Sequence, residues 1–199
     1  VIEVSLSPEE VAKAANAARA VNENKNRVGK PHKSWGPTAP DEFTSRSESF
    51  KAELAVAKAL GLDHGWEIFD GGDGRVDIRL PHPVTIPVTF LPWSPIDVQT
   101  IQVKYRGEPF RDLATEGLNF WRELKADIYI LVWPGQADDS LLLVGWCTRD
   151  QFVNRIFSRP PVRMLGDKYE MRWEDDLNPI DSLVEGVKLA LSKHASEVA

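Results

Sequence analysis

Four side chains carry the chemistry that this chain could perform. In Asp97 to Arg106, β-branched and aromatic residues alternate with polar ones, the period of a strand. That alternation sets Val98, Thr100, Gln102 and Lys104 on one face and Ile101, Val103 and Tyr105 on the other. An amide and an ammonium thus stand side by side where a buried strand would show apolar groups. Upstream, Glu53 falls on the inward stripe of a helix, where an ionised carboxylate is costly unless a cation or strong donor meets it. Asp77 lies on the strand face opposite Val76, Ile78 and Leu80. Two carboxylates and an amide oxygen are hard donors of the kind Mg²⁺ takes.

The elements that must position these groups are legible from caps, breakers and periodicity. Ser7-Pro8-Glu9-Glu10 reads as an N-cap, a first-turn proline and early acids, opening a helix to Val21. From Arg19 to Lys33 come Arg19, Lys25, Arg27, Lys30 and Lys33 against Glu23, then Trp35 in a turn-rich segment. This is either a solvated linker or a basic arm that reaches a phosphate backbone. Ser45 and Glu48 fit a capping box for a helix ending at Gly61, with Phe50, Leu54, Val56, Ala57 and Leu60 inward.

Trp66 to Phe69 and Arg75 to Leu80 read as antiparallel strands joined by a glycine-rich turn. That turn lacks the Lys-Ser/Thr of a phosphate loop and the closing acid of a calcium loop. Prolines 81, 83, 87, 92 and 95 mark an excursion holding at best an edge strand, Val84 to Leu91. Leu113 to Lys125 is expected as a helix around Leu118, Trp121 and Leu124. Asp127 to Trp133 and Leu141 to Cys147 read as apolar strands. Helices follow from Thr148 to near Phe157 and from Ile180 to His194, with a short apolar patch at Tyr169 to Trp173 between them.

The order is then a helix with Glu53, a strand, a strand with Asp77, a strand with Gln102 and Lys104, a helix and a strand. Over residues 45 to 147 it resembles the PD-(D/E)xK nuclease superfamily, in particular its small phage-encoded and resolvase-like members. Glu53 matches the helical acid, Asp77 the motif aspartate, Gln102 the second acidic position and Lys104 the lysine. Val76 stands where the motif has proline, and Gln102 replaces an acid, which removes one negative charge. The resemblance implies an α/β fold with a restriction-endonuclease-like core, a central mixed β-sheet flanked by helices, with extra helices at both ends. The expected organisation is one domain: an N-terminal helix and basic arm (1–44), the core (45–147) and a C-terminal helical extension (148–199).

It further implies a Mg²⁺-dependent deoxyribonuclease, with Mn²⁺ as a substitute. Its metal ligands would be Glu53, Asp77, Gln102 and the backbone carbonyl of Val103. Lys104 would orient the attacking water or meet charge developing on the phosphorane. Lys25, Arg27, Lys30, Lys33 and Arg106 would contact DNA, and relatives that act as dimers make a homodimer one expected state. Two other accounts stay open. Asp77 and Lys104 could form a cross-strand ion pair, with Glu53 capping or pairing with a basic residue. Gln102 could also mark a nucleic-acid-binding protein that has lost turnover.

Composition sets the outer limits. With 199 residues and 42% hydrophobic content the chain can bury one sizeable core. Its 24 Lys and Arg against 30 Asp and Glu exclude nucleic-acid binding through bulk charge, so any such contact is a local patch. That acidity, with Glu174-Asp175-Asp176, also admits an interaction protein with no nucleic-acid role. The lone Cys147 excludes an intrachain disulfide and a cysteine-rich zinc site, and is expected as a buried apolar residue in a reducing compartment. No apolar run reaches the roughly 20 residues that cross a bilayer, so a cytoplasmic protein without membrane contact is expected. The start at Val1 is expected of a trimmed chain. His32, His64, His82 and His194 lack metal-binding spacing and are expected in loops or near ends. Trp121, Trp133 and Trp146 are expected as packing residues.

Overall fold

The computed structural model describes residues 1–27, 41–64, 76–86, 95–107, 113–115, 124–158 and 169–198. After a short strand β1 (Ile2–Ser5), helix α1 (Pro8–Arg27) opens on a reciprocal cap. The Glu10 carboxylate accepts from the Ser7 N–H at 2.6 Å, and Ser7 Oγ accepts from the Glu10 N–H at 3.3 Å. The helix runs past Val21 and absorbs Arg19, Lys25 and Arg27 of the expected arm, whereas Lys30, Lys33 and Trp35 lie outside the described residues.

Helix α2 (Glu42–Leu60) begins earlier than the Ser45 box implied. Asp41 is its N-cap and accepts from the Thr44 N–H at 2.8 Å, while Ser45 already donates its own N–H to the Asp41 carbonyl. An aspartate caps as well as a serine and adds a favourable charge at the positive end of the helix, so the upstream site wins. Gly61 closes it at φ 74°, the left-handed geometry that glycine adopts without a Cβ penalty. Helices α1 and α2 lie antiparallel, tied by Glu10 to Lys58 at 2.8 Å and by Asn22 to Arg46. Buried Ala14, Ala17 and Ala18 suit so close an approach.

The remaining elements are β2 (Ile78–Ile86), β3 (Ile96–Tyr105), β4 (Leu113–Thr115), β5 (Ile128–Pro134), β6 (Ser140–Thr148), α3 (Arg149–Ser158), β7 (Tyr169–Met171), β8 (Asn178–Pro179) and α4 (Ile180–Val198). The main sheet has the order β1-β6-β5-β3-β2, with β8 added to β6, and it is mixed: β3 and β5 are parallel and the other pairs antiparallel. The expectation of an α/β chain with a mixed sheet flanked by helices is met. One face, with Ile78, Val84, Ile86, Val98, Ile101, Ile130 and Val132, packs against α2 and α4. The other, with Tyr129, Leu131, Trp133 and Cys147, packs against α3 through Phe152. Trp133, Trp146 and Cys147 are buried as expected, and Trp121 lies outside the described residues.

Four expectations are corrected. Leu113 to Thr115 is not the start of a helix but a strand paired with β7, whose partner residues stand more than fifty positions downstream. Pro81 and Pro83 do not belong to an excursion after Leu80, and Pro87 and Pro92 lie outside the described residues. Pro81 and Pro83 sit inside β2, at the outer edge of the described sheet, where its register with β3 is irregular between Arg79 and Val84. Residues 65–75, with the expected strand from Trp66 and the glycine-rich turn, are outside the described residues. The C-terminal segment is not purely helical, because β7 and β8 bind it to the small sheet and to β6.

The last correction concerns β3. Asp127 Oδ2 accepts from the consecutive N–H groups of Gln99 and Thr100, at 2.9 and 2.8 Å, and from Thr100 Oγ1 at 2.8 Å. Two neighbouring amides aimed at one acceptor are the mark of a bulge. Alternation therefore slips, and Val98 joins Ile101 and Val103 on the helix-covered face instead of Gln102 and Lys104.

Where β8 crosses β6, a Cβ at Gly145 would stand 2.9 Å from Leu177 Cβ and 3.0 Å from the Asn178 carbonyl oxygen. Gly145→Ala is expected to cost about 1–3 kcal/mol, read as a lower urea midpoint at unchanged slope.

Candidate functional site

Asp77 immediately precedes β2 and is tied to β3 twice. Its N–H donates to the Ile101 carbonyl at 3.0 Å, and its Oδ2 accepts from the Val103 N–H at 2.6 Å. The described register begins at Ile78 opposite Ile101, and the Asp77 carboxylate meets β3 just beyond it. In a strand the N–H and C=O of one residue leave on the same side, as the double exchange within an antiparallel pair requires. The Val103 carbonyl therefore faces the edge that holds the Asp77 carboxylate. These are two hard oxygen donors on one sheet edge.

Glu53 projects from α2 and is 7% exposed, as its place on the inward stripe required. Glu53 Oε2 lies 3.5 Å from His64 Nε2, and His64 is itself buried. The Lys13 ammonium of α1 donates to the His64 carbonyl, so α1, α2 and the loop after Gly61 meet here. Burial first, and the Lys13 ammonium second, hold the His64 imidazole below its ordinary range against the opposing pull of Asp77 and Asp63. At neutral pH it is a neutral ring that faces Glu53. His64 stands beside Glu53, although its sequence position suggested only a loop. Eleven residues from Glu53 matches no helix or strand period, and only the return of the chain past Gly61 brings the two together.

Gln102 and Lys104 leave β3 on the other side. They pair in parallel register with Tyr129 and Leu131, and directly paired residues point to the same face. Tyr129 and Leu131 belong to the α3-covered core, so the amide and the ammonium lie away from α2 and Glu53. Gln102 is buried and Lys104 half-buried. This stretch of the strand is therefore not a solvated face. Glu53 and Gln102 thus lie on opposite faces of the sheet. Among the described residues no group of three or more His, Cys, Asp or Glu side chains is gathered closely enough to hold a metal ion. The donors that fit Mg²⁺ are two carboxylates, one peptide carbonyl and one amide, a hard-oxygen set that needs water to complete an octahedron.

Of the expected DNA contacts, Lys25 and Arg27 have their backbone in the last turns of α1, and Lys30 and Lys33 lie outside the described residues. Arg106 follows β3, half-buried, with its N–H donated to the Val132 carbonyl at 2.9 Å. No described helix is long and apolar enough to cross a membrane. Comparison of the chain with protein-family models, curated proteins and solved structures found no match.

The depressed basicity of His64 has a consequence for stability. The unfolded ring titrates near the ordinary histidine value of 6.5, whereas the native ring stays neutral to lower pH. Below about pH 6.5 the unfolded state therefore binds more protons, and stability falls as pH drops toward the native value. Urea midpoints at pH 7.5 and 5.5 should decline in the wild type, and His64→Asn should flatten that decline.

Proposed function

We propose that this chain is a Mg²⁺-dependent nuclease that hydrolyses DNA phosphodiester bonds beside Asp77 and Val103 of β3, on a restriction-endonuclease-like core. The observation that carries the reading is the 2.6 Å bond between Asp77 and the Val103 amide. It holds a carboxylate against the edge that the Val103 carbonyl also faces, beside a strand ending in Gln-x-Lys. The order of α2, β2, β3 and β5, with β3 and β5 parallel, supports the same reading.

Asp77, Glu53 and the Val103 carbonyl would hold the ion, with the Gln102 amide approaching from the opposite face. When bound, Mg²⁺ supplies a polarised phosphate and a coordinated water of lowered pKa. The remaining work belongs to the chain. Lys104, half-buried and one position beyond Val103, offers three donors that orient a water or meet charge on the phosphorane, an interaction worth more there than in bulk water. Arg106 and the basic residues at the end of α1 and beyond, Lys25, Arg27, Lys30 and Lys33, supply local phosphate contacts on an otherwise acidic protein.

The test is cleavage of supercoiled plasmid and of labelled duplex, single-stranded and branched oligonucleotides in Mg²⁺, Mn²⁺ and EDTA. Cleavage in Mg²⁺ and Mn²⁺ that EDTA abolishes is expected, and no metal-dependent cleavage of any substrate would end the reading. The placement of Gln102 and Lys104 on the face away from Glu53 favours a second reading, a nucleic-acid-binding protein without turnover. Salt-sensitive binding with no cleavage in either metal would select it.

A further inference from the structure

Two histidines outside the group just described meet each other. His82 on β2 and His194 on α4 have ring centroids 3.9 Å apart with 42° between the ring planes. Regular structure brings them together. His82 shares the face of Val84 and Ile86, the face that α4 covers. Lower on the same pair, a Cβ at Gly186 would lie 3.3 Å from Ile86 Cγ2. From Gly186 to His194 is eight helical residues, about 12 Å. From Ile86 back to His82 is four strand residues, about 13 Å. The two rises match, so α4 runs antiparallel along β2 and delivers His194 onto His82. A pair set by a helix and a strand is held more exactly than one on loops.

The second observation concerns the tautomer. His82 Nδ1 lies 3.2 Å from the Pro83 carbonyl oxygen, which can only accept, so the contact is an Nδ1–H donation that turns Nε2 toward a ligand. A ring N–H donated to a backbone carbonyl is the usual support of a metal-ligating histidine. His194 is exposed, which leaves its nitrogens open to an ion arriving from solvent.

We propose that His82 and His194 together bind one divalent ion of borderline softness, Zn²⁺, Ni²⁺ or Cu²⁺. Imidazole nitrogen suits these ions and suits Mg²⁺ poorly, so the site is chemically distinct from the oxygen donors around Asp77. Because no third protein ligand joins them among the described residues, water completes the coordination, and binding is moderate. The bound ion ties the last turns of α4 to the outer strand of the described sheet.

The experiment uses the full chain prepared without a polyhistidine tag. Cu²⁺ added at one equivalent should show two-nitrogen hyperfine structure by electron paramagnetic resonance, unchanged by excess Mg²⁺. His82→Gln and His194→Gln should each reduce it to one nitrogen or none. Calorimetric Zn²⁺ affinity should fall at least about 10-fold in either variant. Zn²⁺ should raise the melting temperature of the wild type but not of the double variant, since a ligand held only by the native state stabilises it. A one-nitrogen spectrum in the wild type, or a two-nitrogen spectrum surviving in either single variant, overturns the proposal.

Discussion

Asp77→Asn is expected to lower metal-dependent cleavage on the order of 10³-fold while the protein keeps its fold. The asparagine carbonyl oxygen can still accept from the Val103 N–H that the aspartate holds at 2.6 Å. What disappears is the negative charge. If Asp77 served only to tie off the edge of β3, the amide would do that work and turnover would persist. Asp77→Ala removes the acceptor as well, and stranding the Val103 N–H should cost about 1–3 kcal/mol. The two variants together therefore separate a structural from a chemical role: both lose cleavage, but only the alanine loses stability. Undiminished cleavage in Asp77→Asn would remove Asp77 from the working group and with it the nuclease assignment.

The largest effect on folding is expected at Asp127. One of its oxygens accepts two backbone N–H groups and a hydroxyl, all between 2.8 and 2.9 Å. Its own N–H donates to Thr100 Oγ1 at 3.0 Å, and its carbonyl accepts from the Arg149 N–H at 2.9 Å. Asp127→Ala leaves the bulge of β3 without its acceptor. Each stranded donor costs about 1–3 kcal/mol where buried and less where water reaches it, so a total of about 2–4 kcal/mol is expected. The Gln99 contact is exposed and the Thr100 contacts part-buried, which keeps the figure below the sum of three buried bonds. Asp127→Asn keeps an acceptor and should lose about half as much. Because Gln102, Val103 and Lys104 follow within four residues of the bulge, cleavage should fall in Asp127→Ala even under conditions where it remains folded. Equal urea midpoints in wild type and Asp127→Ala would refute the staple.

How much of this was legible in advance depends on the range of the forces involved. Caps and stops act within four residues, so they can be read from a short window. The Ser7 cap, the halt at Gly61 and the start of α3 are all found where local residues place them, the last with Thr148 and Gln151 capping each other at 2.9 and 3.0 Å. Long apolar strands such as β5 and β6 are similarly plain, because burial on both faces leaves little else for such runs to do. The burial of Glu53 followed from its place on the helical stripe.

The remainder depended on partners remote in the chain. A bulge at Gln99 and Thr100 needs a carboxylate from residue 127, and no alternation of residue types within β3 announces it. Leu113 to Thr115 is extended because β7 is there to pair with it. His64 reaches Glu53, and His82 reaches His194, only after helices have been laid on the sheet. Most consequential is the direction of Gln102 and Lys104. Periodicity said that they share a face, and they do, but which side of the sheet α2 would cover was settled by packing. Local hydrogen bonding and hydrophobic period are properties of neighbouring residues, whereas the meeting of side chains is a property of how whole elements bury area against one another.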